Sequence, residues 1–283
     1  MSPPSRRRPN HLRVVPDTPA RPPDPVALGR ELLTTSDPWA VERTAATFLA
    51  DAERAGRLPR SVLGEDLPAL EKKATRAALA MLLAIGSIGG TELGTPATEA
   101  AGRLVAAGVR PPPWAAKLAQ PVEPGDAWRL YYADGATIVL NCTFHRDSTM
   151  RSLVVMVDHL GGDVATDILD LDDDGLADAL DRMAELGRRN EAQVTLETAG
   201  RAVIRDDMER ALRTRTERDR SGIPLRSLGD EVLAEEVPDY PAMAWLLRAR
   251  LPLMTEAPKA RYDPTRPRLS LLPGGGENSG RTE

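Results

Sequence analysis

The chain has 283 residues, 41% of them hydrophobic and only 4% aromatic, enough for one large domain or two modest ones around an aliphatic core. Its 37 basic and 42 acidic residues leave a net charge of -5, which argues against a protein built to coat a phosphate backbone. One cysteine, Cys142, excludes an intramolecular disulfide framework and a cysteine-only zinc site within one chain, and points to a reducing cytoplasm.

Residues 1–25 hold eight prolines and the run Arg6, Arg7 and Arg8, but no apolar stretch. They lack the apolar core of a secretory signal and bury too little to offset their ordering entropy, so they read as a disordered tail. Helices are expected next. Asp37 before Pro38 is a helix start, with a capping carboxylate and proline at the first helical position, and Val41, Ala45, Phe48, Leu49 and Ala52 recur at helical spacing until Gly56. Leu67, Leu70, Ala74, Ala77, Ala78, Met81, Leu82 and Ile85 then keep one apolar face, predicting a single long helix that the glycines of 86–94 end. The most apolar window, 77–88, is shorter than the roughly 20 residues a membrane span needs, so no membrane partner is expected. Thr95 with Pro96 opens a third helix that closes at Gly108, and Pro111, Pro112 and Pro113 stop helix formation and suggest a boundary.

Beyond the prolines the period changes to two. Strands are predicted over 127–133 and 136–144, joined by the Asp134-Gly135 pair that suits a two-residue hairpin turn. In the second strand Ile138, Leu140, Cys142 and Phe144 share one face, and Thr137, Val139, Asn141 and Thr143 take the other. Residues 153–157 form an unbroken apolar run, as a strand covered on both faces requires, and 166–171 suggests a fourth strand. Helical spacing returns at Leu176, Leu180, Met183 and Leu186 before Gly187, at Val203, Ile204, Met208, Ala211 and Leu212, and at Met243, Leu246 and Leu247 after Pro241. The expected fold is α+β: a helical region over 26–110, then an α+β domain over 111–257 with a small antiparallel β-meander backed by C-terminal helices, and a second disordered tail over 258–283.

The sharpest motif match is the run from Asp170 to Asp181, where Asp170, Asp172, Asp174, Asp178 and Asp181 stand at positions 1, 3, 5, 9 and 12 and Gly175 at position 6. That is the oxygen spacing of a calcium loop. Its context differs from such a loop: a strand precedes it, Ala177 replaces the bulky residue of position 8, and position 12 is aspartate. The competing reading makes Asp172, Asp173 or Asp174 the cap of the following helix. A second constellation, His145, Asp147, Asp158 and His159, combines imidazoles and carboxylates able to ligate a divalent cation in a hydrolase. Antiparallel strands would put its two halves at opposite ends of the sheet, and the alternative is that Asp158 and His159 shape the turn ending in Gly161 and Gly162. Cys142 falls on the apolar face of a strand, as a small buried hydrophobe would. The chain contains no phosphate loop, dinucleotide fingerprint or nucleophile elbow, so no cofactor is expected.

Residues 158–185 carry ten acidic residues against one arginine, whereas 201–220 carry seven arginines against five acids. The first stretch suits a cationic partner or pairing with the second. Three arginines in a proline-rich tail without aromatics argue against nucleic-acid binding.

Pro112-Pro113-Trp114, Ala127-Trp128-Arg129-Leu130, Val157-Asp158-His159-Leu160-Gly161-Gly162 with Asp167, and the C-terminal Ala249-Arg250-Leu251 resemble segments of a family of uncharacterised actinobacterial proteins. The resemblance spans roughly residues 65–255. It implies no activity, so no catalytic residue is carried over. The stretch corresponding to 170–174 is less dense in aspartate in that family, which counts against the calcium reading. The expectation is a binding or protein-interaction module that meets an unknown protein or small molecule through the sheet and its acidic helix, with Asp158, His159, Gly161, Gly162 and Asp167 as candidate contact residues. The alternative is the divalent-cation-dependent hydrolase built on His145, Asp147, Asp158 and His159.

Overall fold

The computed structural model describes residues 23–132, 135–189, 192–225 and 239–255. Nearly all of the residues expected to form the two tails, 1–25 and 258–283, lie outside these, as does Asp134 of the hairpin dipeptide; Pro25 itself is the first residue of a helix.

Helices α1 (Pro25–Leu32) and α2 (Pro38–Arg54) each start on an aspartate cap followed by proline. For α2 the Asp37 carboxylate accepts the N–H groups of Trp39 and Ala40, at 2.9 and 3.1 Å. The long helix expected over 67–85 is two: α3 (Leu67–Lys73) and α4 (Arg76–Ile88). Ala74 adopts a left-handed conformation at φ 48, and Thr75 caps α4 by accepting the Ala78 N–H, so the chain turns where the apolar period continues unbroken. The periodicity survives because Leu70 and Ala78 face one core from two different axes. Helix α5 (Thr95–Ala106) and the short α6 (Ala115–Leu118) complete the N-terminal layer.

The sheet has the order β4-β3-β2-β1-β5 and is antiparallel throughout. Strands β1 (Glu123–Tyr132) and β2 (Thr137–Arg146) pair with Tyr132 opposite Thr137, the register that a turn centred on 134–135 sets. Gly135 has φ +81, as such a turn requires. Strands β3 (Thr149–Asp158) and β4 (Val164–Leu171) continue the meander. The fifth strand, β5 (Thr195–Thr198), extends the sheet beyond the four expected, pairing beside β1 on the far edge. At four residues it is too short to stand out as an alternating pattern.

Helix α7 (Asp173–Arg189) covers one face of the sheet, where Ala179 and Met183 pack on Trp128, Leu130, Val139, Val154 and Leu169. It passes through Gly187 rather than stopping there. A side chain at that position would collide with Val194, whose Cγ2 would lie 2.5 Å from the added carbon, so the glycine serves a close approach. Helices α8 (Arg201–Arg220) and α9 (Tyr240–Arg250) join α2 on the opposite face. There Leu140, Cys142, Phe144, Leu153, Val155 and Ile168 enter one apolar core with residues of the N-terminal helices. No helix among the described residues is long and apolar enough to cross a membrane.

Candidate functional site

The turn between β3 and β4 gathers four of the five candidate contact residues. Asp158 is buried, and its Oδ1 accepts the Gly161 N–H at 2.8 Å. An added side-chain carbon at Gly161 would lie 2.3 Å from Asp158 Oδ2, and Gly162 sits at φ +94, so both glycines are required by the turn. The His159 ring is half exposed, with Nδ1 2.5 Å from Asp163 Oδ1, and the other Asp163 oxygen lies 3.8 Å from Arg210 on α8. Arg218, also on α8, donates to the Gly161 carbonyl. Asp167 stands apart on β4, where burial holds its carboxyl above the usual carboxylate range against the opposing pull of Arg215. Asp158 and the glycines thus spend their hydrogen-bonding and conformational freedom on backbone geometry, while His159 keeps an accessible edge.

The second constellation does not converge. His145 lies opposite Met150 at one end of the β2–β3 pair, and Asp158 lies opposite Thr137 at the other. Eight residue steps separate these rows, about 26 Å of strand. Asp147 turns the chain at φ 54 beside His145, and His159 stays beside Asp158. Among the described residues no group of three His, Cys, Asp or Glu side chains could hold a metal ion.

The twelve residues matching a calcium loop are a strand end followed by a helix. Asp170 is held in β4 by Arg151 Nε at 2.8 Å and Arg43 Nη1 at 3.0 Å. Asp172 accepts the Gly175 N–H at 2.9 Å and so caps α7, which starts at Asp173. Asp174, Asp178 and Asp181 consequently project from one face of a helix instead of wrapping inward around an ion. The N–H groups at a helix start compete for the same carboxylates, and here the helix wins.

The acidic stretch therefore divides. Asp163 and Asp170 meet arginines of α8, β3 and α2, and Asp167 faces the charge of Arg215. Asp173, Asp174, Asp178 and Asp181 remain exposed on α7 without an ion pair among the described residues.

A buried charge cluster carries no signature in the linear pattern. Glu42 on α2 is 1% exposed, and its two oxygens accept from Arg146 of β2, at 2.6 Å, and from Arg250 of α9. Both guanidinium groups lie over the Trp39 ring, at 4.8 and 5.3 Å from its centroid. The helical period places Glu42 beside Val41 on the packed side of α2, but only the tertiary fold supplies the two cations that permit it to be buried. Cys142 is equally enclosed: burial pushes its thiol up to about 12 although Arg201 pulls the other way, so the thiolate needed for nucleophilic attack does not form near neutral pH.

No family model, no curated protein and no solved structure matches this chain.

Proposed function

We propose that the protein is a non-enzymatic binding module whose contact surface is the outer face of α7 and whose partner is a protein surface rich in lysine and arginine. One observation carries this reading: Asp174, Asp178 and Asp181 share a helix face, are exposed, and have no ion pair among the described residues. Carboxylates three and four residues apart repel by a few tenths of a kcal/mol per pair, and helix-start compensation reaches only the first turn. The strain is modest, but a cationic surface relieves it on docking and is steered to it over several ångströms. The Asp158–Asp163 turn offers His159 and the exposed Leu160 as further contacts on the same sheet. Membership of the actinobacterial family and residence in the cytoplasm belong to the same proposal, supported by the motif residues and by the one unpaired cysteine.

The test is affinity capture by the full chain from cells that make it, with the captured proteins identified, against the variant Asp174→Lys/Asp178→Lys/Asp181→Lys. The wild type is expected to retain a basic partner that about 0.5 M salt releases, since exposed charges are screened within a few ångströms at that ionic strength. The variant is expected to lose it with an unchanged melting temperature. Equal retention by both proteins would reject the reading.

A further inference from the structure

Trp128, Asn141, Val154 and Leu169 stand in one row across β1, β2, β3 and β4, each opposite the next. Trp128, Val154 and Leu169 belong to the smaller apolar cluster, the one that α7 covers with Ala179 and Met183. Asn141 is as deeply buried as they are, yet neither its amide nitrogen nor its amide oxygen has a hydrogen-bond partner among the described residues. Packing α7 on this row therefore keeps water from a side chain that needs both a donor and an acceptor.

The helix itself is lightly held. Only Ala179, Met183 and Gly187 of its 17 residues are buried, and Leu176 and Leu180 are half-buried. Among the described residues no α7 side chain hydrogen-bonds or pairs with another element: Glu185 meets Arg188 and Arg189 of the same helix. On the opposite face of the sheet α8 is fastened by Arg201, Arg215 and Arg218, which donate to the carbonyls of Gly125, Ala165, Thr166 and Gly161. An element with few buried apolar contacts and no polar ties is where local opening costs least. The ends of α7 lead to β4 and β5, the two opposite edges of the sheet, so it cannot swing away as a rigid rod. A helix of this length is marginal in water without its packed face, so it leaves by unwinding.

We infer that α7 is a strap that melts from the sheet while β1 to β4 and the other helices stay folded, and that the release of Asn141 to water favours its opening. The open form uncovers the row from Trp128 to Leu169. It is a rare form, so equilibrium unfolding of the whole chain remains a single transition. The strap depends on the inner face of α7 and needs no partner on the outer one.

The chain's own cysteine serves as the reference for the test. Val154→Cys puts a second thiol beneath α7, whereas Cys142 lies on the other face of the sheet, in the main core. Under native conditions iodoacetamide, with the modified residues located by mass spectrometry, is expected to label position 154 about tenfold faster than Cys142 or more. Equal rates overturn the proposal, since both positions then wait for global unfolding. In the same background Asn141→Leu keeps the branched shape and removes the amide, and is expected to slow labelling of position 154 by about fivefold or more. An unchanged rate means that Asn141 stays buried when α7 opens, which also overturns it. Where a variant does not fold, hydrogen exchange of the unmodified chain decides: α7 amides are expected to exchange about tenfold faster than those of α8 or more, with a shallower dependence on urea between about 0 and 1 M. A match to α8 in either rate or urea slope overturns the strap.

Discussion

Asn141 and Cys142 are neighbours in β2 whose side chains enter opposite faces of the sheet, and both are fully buried. Neither amide atom of Asn141 has a partner among the described residues, a loss of about 1–3 kcal/mol that the surrounding aliphatic packing offsets. Cys142 is free of cost while protonated. Because burial raises its thiol from 9.0 to about 12, the unfolded chain loses the proton first. Stability from this group is therefore complete below about pH 9 and is lost as the pH rises toward 12, at most about 1.4 kcal/mol per pH unit. Burial likewise raises Tyr240 from 10.0 to about 12, against the pull of Arg215 and Arg248, which adds a second loss above pH 10. Urea midpoints between pH 8 and 11 are expected to fall with rising pH, and Cys142→Ala is expected to flatten the fall that begins near pH 9. An equally steep fall in that variant would show that another group titrates.

The edge strand β4 shows how an element is completed by side chains from elsewhere. Its pairing with β3 shifts between Met156 and Val157, so Thr166 is bulged out of the ladder and its hydroxyl returns to the Met156 carbonyl at 3.2 Å. Arg215 of α8 donates to the carbonyls of Ala165 and Thr166 at 3.1 and 3.2 Å and stacks over Tyr240 at 4.1 Å. These contacts occupy acceptors that an open edge would offer to another molecule. Arg215→Met keeps much of the apolar stem and removes the donors. It is expected to cost about 2 kcal/mol in urea unfolding and to cause concentration-dependent association visible by light scattering. A variant that remains monomeric at high concentration would show that the bulge alone protects the edge.

Across the whole molecule, one apolar core runs from Leu32 to Met254 and includes residues on both sides of the triple proline. Polar ties cross the same line: Trp114 Nε1 donates to the Leu32 carbonyl at 2.7 Å, Trp39 Nε1 to Thr149 at 3.0 Å, and Arg43 to Asp170. Separating 26–110 from the rest would expose that core and leave Glu42 without either of its arginines. The chain is therefore expected to unfold in one transition, with tryptophan fluorescence and far-ultraviolet circular dichroism tracing the same denaturant curve. Non-coincident curves, or a peptide of residues 26–110 that folds alone, would contradict this.

What could be read from the residues is what local chemistry controls. Asp37 with Pro38 starts α2 because capping needs only neighbours, and the alternation from Ile138 to Phe144 marks β2 because a strand has two faces. Asp172 caps α7 for the same local reason, so the competing calcium spacing was resolvable only as two alternatives. The break at Ala74 and the strand β5 escaped, since a left-handed alanine and four paired residues are held in place by contacts distant in sequence. The opposite-end placement of His145 and Asp158 follows already from antiparallel neighbours, whereas tertiary structure alone decided that Glu42, Arg146 and Arg250, up to 208 positions apart, share one buried site. Charge at that separation pairs through folding, and nothing in its local spacing announces it.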